Sequence, residues 1–325
     1  MHFTLLVAGA LLPGELAEAL TQSLETPNLK ARLARSTLIA QPASRRTAAH
    51  LNWLAKELFG QAAPAPTAPY AYAQLAGSPA PAFVWHADPV HIEVARDHLI
   101  VQSLDTDAPT DEESNSLIAV ANELASAAHV ELVDTGGRWF LLSERDWHID
   151  ALPLAVADGA AVQMPGGPDA QLWNRLHNEI QMAWHAHSVN QQREANGART
   201  LNAIWLHGGG RYKPLPPIKF AQVHADAPEW QGAAEAAGAR GVSASAGVTN
   251  TSLVVVETPW AAKQRQEWGA WLRDITTIDQ ILRAHPADSI DLILTGDTDR
   301  TFALRPLDRY KPWRRWRPLA HAFTE

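Results

Sequence analysis

The sequence contains no cysteine. That excludes a disulfide framework, thiolate catalysis and cysteine-ligated zinc or iron–sulfur centres, and it is what a reducing cytoplasm, the expected location, permits. No run approaches the ~18 consecutive apolar residues that a membrane span requires, so no membrane partner is expected. The apolar stretch Phe3–Leu12 lacks the basic flank of an export signal: neither Lys nor Arg precedes Lys30, and Pro13-Gly14 ends it early. It reads instead as a buried first strand followed by a turn. Positive charge is in deficit as well. With 27 Lys and Arg against 35 Asp and Glu and a pI near 5.9, bulk attraction to nucleic acid or anionic lipid is not expected, and only a local basic patch would provide it. The HExxH, GxSxG and P-loop patterns are missing too.

What is present is a 325-residue chain with 13 Trp against only 4 Tyr, and 22 Pro. The length exceeds a typical domain of roughly 100–200 residues, which predicts two domains or one large core with an insert. Helical spacing covers 15–24 and 48–59, and Pro27 precedes a further helix with Leu29 and Leu33 on one face. The Ala/Pro-rich stretch 61–82 reads as an extended connection and a boundary. Beyond it, strands at 91–94 and 98–104 flank a turn, and Thr110-Asp-Glu-Glu113 fits a capping box for a helix burying Leu117, Val120 and Leu124. A hairpin follows about Asp134-Thr-Gly-Gly137. This ββαββ unit is placed at 86–149 as an α+β insert. The core is then 1–85 with 150–325: an α/β fold with a mostly parallel sheet flanked by helices, because helical segments alternate there with continuous apolar strands at 201–206, 253–256 and 290–294.

Among residues with chemical potential, Asn202-Ala-Ile-Trp-Leu-His207-Gly208-Gly209-Gly210-Arg211 stands out. A strand running into three glycines frees backbone N–H groups to face an anion, and Arg211 adds a bidentate donor; the plain alternative is a tight turn with an exposed arginine. His177, His185 and His187 do not make a helical metal site. Residues two apart on a helix point about 200° away from each other, and His177 lies roughly 12 Å along the axis from His185. Asp297 and Asp299 follow a buried strand, where open α/β sheets place ligand groups, yet a divalent cation needs at least one further ligand. Arg305, Arg309, Lys311, Arg314, Arg315 and Arg317, interleaved with Tyr310, Trp313 and Trp316, combine cations with stacking surface as single-strand binders do. With the chain acidic overall, these residues are expected to pack within the protein rather than on nucleic acid.

His187-Ser-Val-Asn190-Gln-Gln-Arg193 with Gly197, then Asn202-Ala-Ile-Trp205 and Gly208-Gly-Gly-Arg211, resembles the HPVNxxR…G…NxIWxxGxGR signature of archaeal-type cofactor-independent phosphoglycerate mutases. These belong to the alkaline phosphatase superfamily. The segment order, with Asp88-Pro-Val-His91, Arg96-Asp97, Trp173, Asn178, Gln181-Met182 and the Arg/Trp-rich tail, is similar to the bacterial RpfE-type regulatory proteins, some of which are labelled phosphoglycerate mutases. The resemblance implies an alkaline-phosphatase-like fold and a ligand-binding set of His187, Asn190, Arg193, Asn202, His207, Gly208, Gly209, Gly210 and Arg211.

The departures from the family pattern concern the metals. Val7-Ala-Gly-Ala-Leu11 stands where the mutases carry a metal-binding Asp, and Trp260 of Glu257-Thr-Pro259-Trp260 stands where they carry another. Asp297-Thr298 keeps the Asp of a family Asp-His pair and loses the His. A two-metal phosphoryl-transfer site needs several carboxylates and imidazoles, so the expectation is a degenerate centre with Asp297 as its vestige. No cofactor and no catalytic residue are expected. The anticipated function is regulatory and non-catalytic, with an anionic metabolite or a protein as partner. The competing readings are an active metal-dependent mutase or phosphotransferase, and nucleic-acid binding through the tail.

Overall fold

The computed structural model describes residues 2–40, 48–104, 107–286, 289–310 and 318–325; of 40, 309 and 310 only the backbone is described. The chain begins with β1 (His2–Val7), α1 (Gly14–Thr21), α2 (Pro27–Arg35), β2 (Thr37–Ala40) and α3 (Ala49–Phe59). It continues with α4 (Ala68–Ala76), β3 (Phe83–Val94), β4 (Leu99–Ser103), α5 (Asp111–Ala125), β5 (Val130–Thr135) and β6 (Arg138–Ser143). Next come α6 (Leu154–Ala157), α7 (Ala170–His185), α8 (Ser188–Ala195) and β7 (Ala203–Arg211). The last stretch holds β8 (Gln222–His224), α9 (Pro228–Ala236), β9 (Arg240–Val242), β10 (Ser252–Val256) and α10 (Thr258–Gln264). It closes with α11 (Trp268–Ala284), β11 (Ser289–Thr295), β12 (Asp299–Leu304) and α12 (Leu319–Phe323).

Two compact units result, one from Met1–Ala63 with Leu215–Glu325, the other from Pro64–Pro214. The first is an α/β unit whose seven-stranded sheet has the order β2-β12-β11-β1-β10-β8-β9. The five strands from β11 to β9 are parallel; β12 and β2 close one side antiparallel. β1 lies between β10 and β11, pairing Leu5 with Val254 on one edge and Leu292 on the other. Phe3, Leu5, Leu6 and Val7 are fully buried, as a strand covered on both faces must be, and this explains an apolar run that only Thr4 interrupts. Gly9 then turns the chain at φ +72° directly against the backbone of Pro259 and Trp260, where a Cβ has no room. The Trp271 indole donates to the Gly9 carbonyl at 2.9 Å and fastens α11 to that turn.

The second unit is built on a five-stranded antiparallel sheet. β4 and β6 share one edge of the long β3, β5 extends β6, and β7 runs along the other edge of β3. Its core explains the tryptophan count: Trp139, Trp147, Trp173 and Trp184 are all at most 2 % exposed. Trp139 and Trp184 meet edge to face at 5.9 Å, the arrangement aromatic quadrupoles favour. The Trp184 Nε1–H donates to the Leu117 carbonyl at 3.0 Å. The capping box forms as expected, with Thr110 and Glu113 exchanging bonds at the start of α5.

Several sequence expectations differ from the structure. The compact unit spans 64–214 rather than 86–149, because β7 pairs antiparallel with β3 instead of joining the parallel sheet. The connection at 61–82 contains a helix, α4, begun by a proline that suits the first helical turn. On α5, Leu117, Ile118, Ala121 and Ala125 are buried, while Val120 and Leu124 only flank the core. No described helix is long and apolar enough to cross a membrane.

Replacing Trp184 by Ala should remove about 3–5 kcal/mol of stability, since it empties a fully packed site and removes the indole's bond to the Leu117 carbonyl. Urea unfolding measures this; a loss below about 1 kcal/mol would mean that Trp184 is not central to this core.

Candidate functional site

The signature residues of the Pro64–Pro214 unit turn their polar atoms inward. His187 is the N-cap of α8, its Nδ1 accepting from the Val189 N–H at 3.3 Å. Asn190 is buried; its amide donates to the Trp184 and Leu201 carbonyls at 2.9 and 2.8 Å, and its oxygen accepts from the Leu201 N–H at 2.8 Å. Arg193, 5 % exposed, donates to the Arg199 carbonyl at 2.7 Å, to Glu113 at 2.7 Å and to the Asp107 carbonyl. Asn202 reads both backbone groups of Ile92, at 2.7 and 3.0 Å. Each of these bonds ties one segment of the unit to another, so burial leaves few orphaned groups.

The three glycines lie inside β7, not in a loop beyond it. They sit opposite the shift in register between Val84 and His86 of β3. A Cβ on Gly208 (φ +61°) would meet Thr67 Oγ1 at 2.5 Å, one on Gly209 would enter the Trp85 indole, and one on Gly210 would meet Pro66 at 2.7 Å. Close packing of side chains on the strand accounts for all three. Arg211, exposed, donates to the Pro81 carbonyl at 2.8 Å and lies 5.2 Å from the Phe83 ring centre.

His207 belongs to a buried polar string. Its Nε2 is 2.8 Å from Asp88 Oδ2, its ring stacks on His86 at 4.7 Å, and His86 Nε2 is 3.2 Å from Thr67 Oγ1. Burial would raise the Asp88 carboxyl, but the hydrogen bond and charge of His207, with Arg138 and His86, outweigh it and hold the pKa at about 2. Burial, and then the His207 charge, push His86 well below the usual range. His177 accepts the Ile204 N–H at 3.2 Å through Nε2, while His185 is exposed on α7.

In the α/β unit, the ends of β1, β10 and β11 come together, the position where open α/β sheets bind ligands. Ala8 N–H donates to the Val256 carbonyl at 2.9 Å and Leu11 N–H to the Thr295 carbonyl at 3.0 Å. Trp260 is buried here on α10, with the His50 ring at 4.7 Å and the Lys263 ammonium 5.9 Å from its centre. Lys263 Nζ donates to the Leu11 carbonyl at 3.1 Å, is paired with Glu325, and lies 3.7 Å from Asp297 Oδ1. Asp297 is largely exposed, and burial raises the Asp299 carboxyl beside it. Glu257 accepts from the Trp230 indole at 2.9 Å and stands 4.0 Å from His50 Nε2.

Among the described residues no three His, Asp or Glu side chains gather as a metal site. Sequence reasoning missed Lys263, Glu325 and His50. Lys263 follows Trp260 by one helical turn, which was a usable signal; Glu325 and His50 reach this place only through tertiary contacts. Of the basic tail, Arg305 pairs with Asp291 at 2.7 Å, and the side chains of 309–317 lie outside the described residues.

No family model matches the chain, and no curated protein matches it. Among solved structures it is similar to the PH0037 protein of Pyrococcus horikoshii, with TM-score 0.52 and 14% identity over 94% of this chain and 87% of that one. It is also similar to the cofactor-independent phosphoglycerate mutase from Thermoplasma acidophilum DSM 1728, with TM-score 0.43 and 16% identity over 100% and 94%. At 14% identity the likeness to the PH0037 protein is one of fold.

Two outcomes are expected. Asn190→Ala removes the bonds to both backbone groups of Leu201, while the Trp184 carbonyl keeps the His187 N–H, and should cost roughly 2–4 kcal/mol in urea unfolding; a neutral result would show that these bonds are dispensable. Burial pushes His50 down to about 3 from 6.5, so below pH 6.5 the unfolded chain takes a proton that the folded chain refuses. Its contribution to stability is therefore lost progressively as pH falls from about 6.5 towards 3. His50→Gln should flatten the pH dependence of the urea midpoint in that window, and an unchanged slope contradicts the assignment.

Proposed function

We propose that this chain is a non-catalytic, phosphoglycerate-mutase-like regulatory protein of the RpfE type, which binds an anionic metabolite or a protein partner on a scaffold whose metal centre has degenerated. The observation that carries this reading is the Lys263 ammonium, held at the strand ends by Glu325, Asp297 and the Leu11 carbonyl. A tethered cation already neutralises the carboxylates there. A divalent ion brought about 4 Å from Nζ would meet roughly 8 kcal/mol of repulsion at an effective dielectric of ~20. The Trp260 indole adds bulk and no electron pair for a metal. The donor set therefore does not fit a dinuclear site, which supports a ligand-holding role over phosphoryl transfer.

The retained signature segment is compatible with this reading in a specific way. Its residues hold the Pro64–Pro214 unit together through buried bonds, so they can persist when turnover is lost.

Purified protein supplied with manganese or zinc is expected to retain neither in stoichiometric amount, and to leave 2- and 3-phosphoglycerate unconverted. Metal-dependent interconversion that Asp297→Ala abolishes would overturn the proposal in favour of an active mutase.

A further inference from the structure

The Glu325 side chain is held in the manner of a bound anion. One of its oxygens, Oε1, accepts the Asp297 N–H at 3.2 Å and the charged bond from Lys263. The same oxygen lies over Gly296, where a Cβ would come within 2.5 Å of it and within 2.7 Å of the Leu11 carbonyl. Only a residue without a side chain leaves that space open. Backbone pairing sets the carboxylate there: Leu12 bridges Thr324, and the Glu325 N–H donates to the Leu12 carbonyl at 2.9 Å. The Lys263 and Glu325 side chains are only 13 and 20% exposed, so their attraction is screened less than that of a surface pair.

We propose that the Lys263 ammonium, the Asp297 N–H and the bare Cα of Gly296 form a small oxyanion site of the phosphate or carboxylate class, and that the Glu325 carboxylate is its built-in occupant, which an incoming anion displaces. An ammonium with a backbone N–H is the donor pair that oxyanions select. Because Glu325 is attached, it competes at a millimolar-range effective concentration and keeps the site closed to dilute anions. The Asp297 carboxylate, 3.7 Å from Nζ and 73% exposed, opposes a second negative charge, though water screens it. The proposal deepens the ligand-binding reading above, and the two fail separately: turnover tests that reading, and phosphate binding tests this site.

The experiment is a calorimetric titration of inorganic phosphate into wild type, Glu325→Gln and the double variant Glu325→Gln/Lys263→Gln. Glu325→Gln, which keeps the shape and removes the charge, should bind phosphate at least about tenfold tighter than wild type, and the added Lys263 change should abolish the gain. Equal affinity in wild type and Glu325→Gln, or binding that survives loss of Lys263, overturns the site. Should the single variant not fold, wild type carries the test through the nitrogen-15 resonance of the Asp297 amide. A saturable phosphate-dependent shift supports the site, and an amide that phosphate leaves unmoved refutes it.

Discussion

β1 is hydrogen-bonded along both edges and covered on both faces. A strand so placed is near-continuously apolar within the sheet, Thr4 being the exception after Phe3, so charged groups gather where it ends. The turn after it is fixed just as firmly, by Gly9 against Trp260 and by the Trp271 bond to the Gly9 carbonyl. From these constraints follows the meeting of Leu11, Trp260, Lys263, Asp297 and Glu325. At the strand ends the Lys263 ammonium lies among acceptors. That arrangement pairs the ammonium with carboxylate and carbonyl oxygens on neighbouring segments.

In the antiparallel unit, residues with ligand-binding chemistry serve the architecture. Asn190, Arg193 and Asn202 are the residues one would choose to hold a phosphate, yet their donors and acceptors are used on backbone groups and on Glu113. The triple glycine suits a phosphate loop by composition, but here it lets β7 pass beneath Trp85, Pro66 and Thr67. Asp88, His207 and His86 form a buried string in which one carboxylate is held ionised and one imidazole is held neutral. Such a string ties β3 to β7 through side chains as well as through the ladder. These are costly groups to bury; Asp88 and the Nε2 atoms of His207 and His86 are partnered, while the Nδ1 atoms of both imidazoles are buried without a hydrogen bond.

Local pattern settled much of this chain. The apolar runs at β1, β10 and β11, the amphipathic spacing of α1 and α3, and the Thr110 capping box were all legible in order, because each depends on residues a few positions apart. The absence of cysteine excluded thiolate-ligated centres. Tertiary structure alone decided the rest. The apolar run 201–206 reads the same whether it joins a parallel or an antiparallel sheet, and only the pairing of β7 with β3 placed it in the Pro64–Pro214 unit. Whether glycines make room for a ligand or for an indole depends on which side chain lies above them. The contact between Lys263 and Glu325 spans 62 residues of sequence, and no short-range rule carries a charge across that distance; the fold does so by bringing three strand ends to one place.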